Sequence, residues 1–327
     1  MRIVYCGSGE FGLACLDAIA SSCDHQIVHI FTQPSHPAGR GKKIKATPVA
    51  GWGEFMKIGV SQVEDINTPE VLEQMRGLAP DLMVVIAFGQ KLSQELIKIP
   101  AKGAINVHAS LLPKYRGAAP INWAIINGEE ETGVSIITLA ERMDAGMILA
   151  RAKTKIGESE TASELHDRLG KLAAPLLLET IDKIAAGTAV YEAQDPAKVT
   201  KAPKLKKSDA FIDWNDSAEK ICCKIRGLWA WPEAQGYYVS KKTGRCERVI
   251  FANCRVLENA QGGGAAGTLD KNLHVVCASG AIELLKVKPA GSGLMDFKAF
   301  VNGRACSEGD FFMPIEQAKK ECLVPGA

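Results

Sequence analysis

GAINVHASLLPKYRGAAPINWAI, residues Gly103 to Ile125, reads as an apolar strand that ends in polar side chains and runs through a Pro-closed loop into a helix. Successive strand residues point to opposite faces. Asn106 and His108 therefore share one face of Ala104 to Ala109, and Ile105 and Val107 take the other. In open parallel α/β sheets ligands bind at the carboxyl ends of the strands, which would place both polar groups at a site. A pair of satisfied core polar residues has the same spacing, so spacing alone leaves both readings open.

The flanking pattern supports such a sheet. Leu82 to Phe88 is a continuous apolar run, the signature of a parallel strand buried on both faces, and Gly89-Gln90 ends it. At the amino end, Arg2 to Cys6 is a β-like run. Gly7-Ser8-Gly9-Glu10-Phe11-Gly12 follows with G-x-G-x-x-G spacing and leads into the helical positions Leu13, Leu16 and Ile19. A dinucleotide site of this kind needs a carboxylate at the end of the second strand to hold the ribose. That strand, Gln26 to Phe31, ends in Thr32-Gln33-Pro34, so NAD is not expected; the glycines provide a tight turn and a helix amino terminus instead.

With 327 residues the chain exceeds the usual ceiling for one core, and two domains are expected. Hydrophobic residues make up 46% and charged residues 23%, an ordinary globular composition. No apolar run reaches membrane-spanning length, and no signal-peptide pattern precedes Ile3, so a cytoplasmic protein without membrane contact is expected. The 10 Cys are scattered without a C-x-x-C pair, which supports neither a metal site nor a disulfide framework.

Ser110-Leu111-Leu112-Pro113, followed by Arg116-Gly117-Ala118-Ala119-Pro120-Ile121-Asn122-Trp123-Ala124-Ile125, closely resembles the signature of the folate-dependent formyltransferases. Met143-Asp144-Ala145-Gly146 fits the D-x-G turn of that family. The resemblance implies three catalytic residues, Asn106, His108 and Asp144. It also implies 10-formyltetrahydrofolate as co-substrate, in a cleft lined by Ile86, Phe88, Gly89 and Gln90 together with Ser110, Leu111, Leu112 and Pro113. Phe88 stands where the family pattern has Tyr, and Ser93 where it has Pro. No metal is implied.

Pro34 to Pro48 (PSHPAGRGKKIKATP) is long, polar and basic, and is expected as a mobile surface loop. Arg40, Lys42, Lys43 and Lys45 either are simply solvated or suit phosphate contacts, a charge-density effect favoured by four cations in six residues with flexible glycines. The stretch TQPSHPAGRGKK resembles the insertion loop of methionyl-tRNA formyltransferases, which implies the acceptor end of initiator methionyl-tRNA as partner and translation initiation as the role. Residues 195–207 hold five Lys against Asp195; Lys204, Lys206 and Lys207 either are solvated or extend the same track.

Thr161-Ala162-Ser163-Glu164 is a capping box opening a long helix with Leu165, Leu169, Leu172, Leu176, Ile181 and Ile184 on its buried side and Gly187 at its end. Gly133 to Leu139 and Met147 to Ile156 are expected as antiparallel edge strands. From Phe211 onward a helix at Ser217 to Leu228 is followed by short β-like runs, among them Cys246 to Leu257 and Ile282 to Val287, a pattern for a small barrel. Trp229 and Trp231 are expected to pack. The expected architecture is α/β: a Rossmann-like, mostly parallel sheet domain over 1–190, a basic linker over 191–207, and an OB-like β-barrel over 208–327 that meets tRNA, in a monomer.

Formyl transfer to an amine passes through a tetrahedral intermediate with a negative oxygen. The Asn106 amide can donate to that oxygen, His108 can donate or take the amine proton, and Asp144 can hold the His108 tautomer and help relay the proton. A formyltransferase acting on a small amine, or a hydrolase of the folate formyl group, leaves Arg40 to Lys45 unexplained. An RNA-binding protein without catalysis leaves Asn106, His108 and Asp144 unexplained.

Overall fold

The computed structural model describes residues 1–38, 43–257, 264–321 and 323, and divides into two compact units. The first comprises Met1–Pro120, Glu131–Lys155 and His166–Ala202; the second comprises Ile121–Glu130, Ile156–Leu165 and Pro203–Ala327.

Unit 1 is built on β1 (Arg2–Gly7), β2 (Gln26–Thr32), β3 (His36–Ala38), β4 (Lys43–Lys45), β5 (Val60–Gln62), β6 (Leu82–Ile86), β7 (Ala104–His108), β8 (Arg116–Gly117), β9 (Glu131–Thr138), β10 (Ile148–Lys155) and β11 (Lys201–Ala202). Its main sheet has the order β10-β9-β7-β6-β1-β2-β5. The five strands from β5 to β7 run parallel, and β9 and β10 are antiparallel additions. Thus β10 is the edge, while β9 lies inside, between β7 and β10. The chain winds from β1 outward in both directions, so the carboxyl ends of β1, β6 and β7 open on one crevice, the place where such sheets bind ligands. Ile3, Val4, Tyr5, Leu82, Met83, Val84 and Ile86 have no exposed surface; for the aliphatic side chains and Met83 each full burial stabilises by about 1.5–3 kcal/mol.

Local signals explain the helices. Thr47 and Thr68 cap Pro48–Phe55 and Pro69–Leu78 through their hydroxyls, with Pro at the first helical position in both. Ahead of Ala162–Ala186, Thr161 N–H donates to Glu164 Oε2 at 2.9 Å and Glu164 N–H donates to Thr161 Oγ1 at 3.4 Å, the reciprocal capping box. The deepest seam of this helix differs from the expected one. Leu165, Leu169, Ala173, Leu177 and Ile181 are buried, whereas Leu172 and Leu176 are half-buried; each four-residue step turns about 40° beyond a full turn of a 3.6-residue helix, so the buried seam winds around the helix instead of following one straight stripe.

The glycine-rich turn after β1 has a packing explanation. A Cβ on Gly12 would stand 1.9 Å from the hydroxyl of Tyr5, and one on Gly7 2.6 Å from the Ile86 carbonyl. The turn is therefore drawn tight over a buried tyrosine ring. Gln33, where a dinucleotide enzyme would need its carboxylate, donates instead through Nε2 to the Phe88 carbonyl at 2.8 Å. The basic segment is also more regular than a mobile loop: β3 and β4 pair antiparallel, His36 opposite Lys45 and Ala38 opposite Lys43. Extended residues on both sides of the tip satisfy each other's backbone groups. Arg40 and Lys42 lie outside the described residues.

Unit 2 adds β12 (Gln235–Val239), β13 (Cys246–Leu257), β14 (Val275–Val276), β15 (Ala281–Pro289), β16 (Met295–Asp296) and β17 (Phe311–Met313). The antiparallel order is β14-β15-β13-β12-β17, with β16 beside β15. Bridges from Thr268 to Phe311 and from Leu269 to Val275 nearly close it into a barrel. Trp214, Phe251 and Phe312 fill its core with centroids 5.1–5.4 Å apart, Phe251 edge to face with both of the others and Trp214 tilted at 31° to Phe312. Trp229 is half-buried, but Trp231 is 53% exposed and is not the packing residue expected. Asn122 Nδ2 donates to Gly227 O and Trp123 Nε1 to Pro203 O, so these two signature residues serve the architecture of unit 2.

Candidate active site

β7 ends in Asn106-Val107-His108, with Asn106 half-buried and His108 6% exposed. β7 lies inside the sheet, between β6 and β9, parallel to β6 and therefore with its carboxyl end on the same side. Among the described residues, the Asn106 amide has no hydrogen-bond partner, so both of its N–H groups remain available. The His108 ring does have one: Nε2 lies 2.9 Å from the Tyr115 carbonyl. A carbonyl only accepts, so Nε2 carries a proton and donates. That bond sets the tautomer, a role the sequence reading had given to Asp144.

Asp144 stands opposite the other ring nitrogen, with Oδ2 3.7 Å from Nδ1. The separation is beyond hydrogen-bond length, and a small displacement would close it. The same Oδ2 accepts the Gly117 N–H at 2.8 Å. Asp144 has φ 53°, a left-handed conformation that short polar residues tolerate better than most. Two residues on, a Cβ at Gly146 would come 1.7 Å from the Thr138 carbonyl. The D-x-G spacing is thus dictated by the turn lying flat against β9.

The corner after β6 presents backbone rather than side chains. Ile86 and Phe88 are buried, and the Phe88 ring belongs to a core cluster with Met75 and Leu96. Ala87 and Gly89 are exposed at φ 47° and 81°. Gln90 accepts the Ile66 N–H and donates to the Val63 carbonyl, which spends its amide on a neighbouring loop. Beyond β7, Ser110 is buried and donates to the Lys114 carbonyl at 2.6 Å, and Leu112 packs on Ile137 and Ile148. Leu111 and Pro113 remain half-exposed. Of the basic residues, Lys45, Lys204, Lys206 and Lys207 are exposed, while Leu205 is buried among the last three; Lys43 begins β4.

Sequence family models agree with this arrangement of parts. Residues 1–181 match the formyl transferase model and residues 204–305 match the model of the formyl transferase C-terminal domain. The chain belongs to the formyl transferase family. A methionyl-tRNA formyltransferase of Trichlorobacter lovleyi is 41% identical over 319 residues, which span 96% of this chain and 98% of that one. One from Citrifermentans bemidjiense is 40% identical over 91% of this chain and 94% of its own length. Among solved structures, WlaRD, a sugar 3N-formyl transferase crystallised with dTDP and 5-N-formyl-THF, matches with a TM-score of 0.62 at 15% identity. It covers 86% of this chain and 96% of that chain. HypX from Aquifex aeolicus in complex with tetrahydrofolic acid matches at 0.59 and 16% identity, over 96% of this chain and 50% of that one. These structures share the fold.

Within this formyltransferase, sequence reasoning missed two backbone groups, the Tyr115 carbonyl and the Gly117 N–H. Gly117 belongs to the signature, which marks no role for its N–H, and Tyr115 falls between the two matched stretches. Tyr115 has φ 61°, and no residue-type pattern announces that a carbonyl will turn inward. Among the described residues, no helix is long and apolar enough to cross a membrane.

Proposed function

We propose that this enzyme transfers the formyl group of 10-formyltetrahydrofolate to the amino group of methionyl initiator tRNA, as a monomer and without a metal or NAD. The reading is carried by the near-full-length likeness to two methionyl-tRNA formyltransferases, and it gives a chemical task to the Asn106 amide, which has no partner among the described residues, and to the His108 and Asp144 pair.

The methionine nitrogen attacks the formyl carbon, and the carbonyl oxygen takes up negative charge. Asn106 donates to that oxygen; a preorganised donor of this kind is worth about 2.7–4 kcal/mol. Collapse breaks the bond to N10 of the folate, which takes a proton as it leaves, while the attacking nitrogen gives one up. His108, with Nε2–H committed to Tyr115, handles these protons at Nδ1, and the Asp144 carboxylate stabilises the charge that results. The donor lies along residues 86–90 and 110–113, where the exposed backbone of Ala87 and Gly89 serves the polar edge of the pterin and Leu111 and Pro113 its face. Arg40, Lys42, Lys43 and Lys45 take phosphates of the acceptor arm, and Lys204, Lys206 and Lys207 supply further ones.

Single-turnover transfer of labelled formyl to methionyl initiator tRNA, with a dTDP-amino sugar as competing acceptor, tests the reading. Transfer to the tRNA alone, abolished in Asn106→Ala, is expected. Transfer only to the sugar would keep the chemistry and discard the acceptor.

A further inference from the structure

The turn that carries Asp144 is packed against β9 on one side and open on the other. Met143 and Met147 on either side are 70% and 42% exposed, and a cavity of about 310 Å³ opens against Ala145, Gly146 and Met147. A left-handed aspartate in such a turn needs another restraint, because its conformation is costly for a residue with a Cβ.

Gln194 supplies one. Its Nε2 donates to the Asp144 carbonyl and to the Gly146 carbonyl, both at 2.8 Å. Its Oε1 accepts from Arg116 Nε at 3.0 Å and Nη2 at 2.7 Å. Every N–H of the amide is committed to the turn that bears Asp144, and the oxygen is committed to the arginine next to Gly117, whose own N–H holds the Asp144 carboxylate. Gln194 therefore grips Asp144 from behind and ties its backbone to the segment that grips its side chain.

We propose that Gln194, braced by Arg116, is a positioning residue that sets the distance between Asp144 and His108; the inference rests on the catalytic role given above to that pair. Removing the two carbonyl-directed bonds frees the turn toward the cavity, and the carboxylate loses its fixed place opposite His108 Nδ1. A shift of about 1 Å at a reacting group costs on the order of 100-fold in rate.

Two variants in the full-length chain test this. Gln194→Met keeps the length of the side chain and drops all four bonds. Gln194→Glu keeps the arginine grip but turns oxygen toward both carbonyls, so it should behave like Gln194→Met. The expected result is a kcat for formyl transfer lowered at least 10-fold in both, KM for donor and acceptor within about twofold, and displaced ring ¹⁵N signals of His108 in the ligand-free protein. Wild-type kcat in Gln194→Glu, a rate loss matched by loss of folded protein on thermal melting, or ring signals at wild-type positions would each overturn it. If the unaltered chain formylates no tRNA, the proposed acceptor fails while the ring signals still decide the role of Gln194.

Discussion

His108 Nδ1 and Asp144 Oδ2 stand 3.7 Å apart, with the two side chains 7% and 10% exposed. The carboxylate is thus largely shielded from water and faces the ring nitrogen directly. Asp144→Asn preserves an oxygen to accept the Gly117 N–H while removing the charge, and kcat should fall by about 10²–10⁴, the range of general acid–base contributions. Single-turnover kinetics beside a thermal melt separate this from unfolding; an unchanged rate would remove Asp144 from the chemistry.

Gly146→Ala should be the most damaging small substitution near the site. Its Cβ would meet the Thr138 carbonyl at 1.7 Å, so the turn must lift from β9. Overpacking of this kind costs about 1–3 kcal/mol, occasionally more. Denaturant midpoints read the loss, and activity should fall with it because Asp144 rides on the same turn. A midpoint equal to that of the unaltered chain would contradict the geometry.

Arg40→Ala should raise KM for methionyl-tRNA and leave folate binding intact, because its cationic side chain suits phosphate contacts and none of the residues proposed to line the folate cleft belongs to this segment. Binding measured across a salt series should weaken steeply as salt rises, with a shallower slope in the variant, since each phosphate contact releases counterions. Equal slopes would detach Arg40 from the tRNA.

His29 gives unit 1 an acid-sensitive point. Its half-buried ring lies against Ser61 Oγ at 2.8 Å and Phe31, and burial holds its pKa below the ordinary 6.5. As pH falls through 6.5 the unfolded chain takes up the proton first, so stability declines from there until the lower folded-state value is passed. His29→Gln should flatten the pH dependence of the melting temperature below pH 6.5; an unchanged slope would place the sensitivity elsewhere.

Much of this molecule is written in short stretches of its sequence. Apolar runs, threonine caps and Cys246–Leu257, which matches its observed strand at both ends, are legible because strand alternation and helix capping act between residues a few positions apart. Phe311–Met313 was not, since three residues carry no period and become a strand only by pairing with β12. Neither was the exposure of Trp231, which depends on what the rest of the chain leaves uncovered.

The candidate site divides along the same line. That Asn106 and His108 share a face follows from the two-residue repeat of a strand, and the family signature brings in Asp144. The Tyr115 carbonyl on His108, the Gly117 N–H on Asp144, the grip of Gln194 and the tyrosine beneath the glycine turn belong to the tertiary structure alone. A hydrogen bond or a steric limit of 2 to 4 Å is a property of positions in space, and residues distant in the chain acquire those positions only when the sheet has assembled.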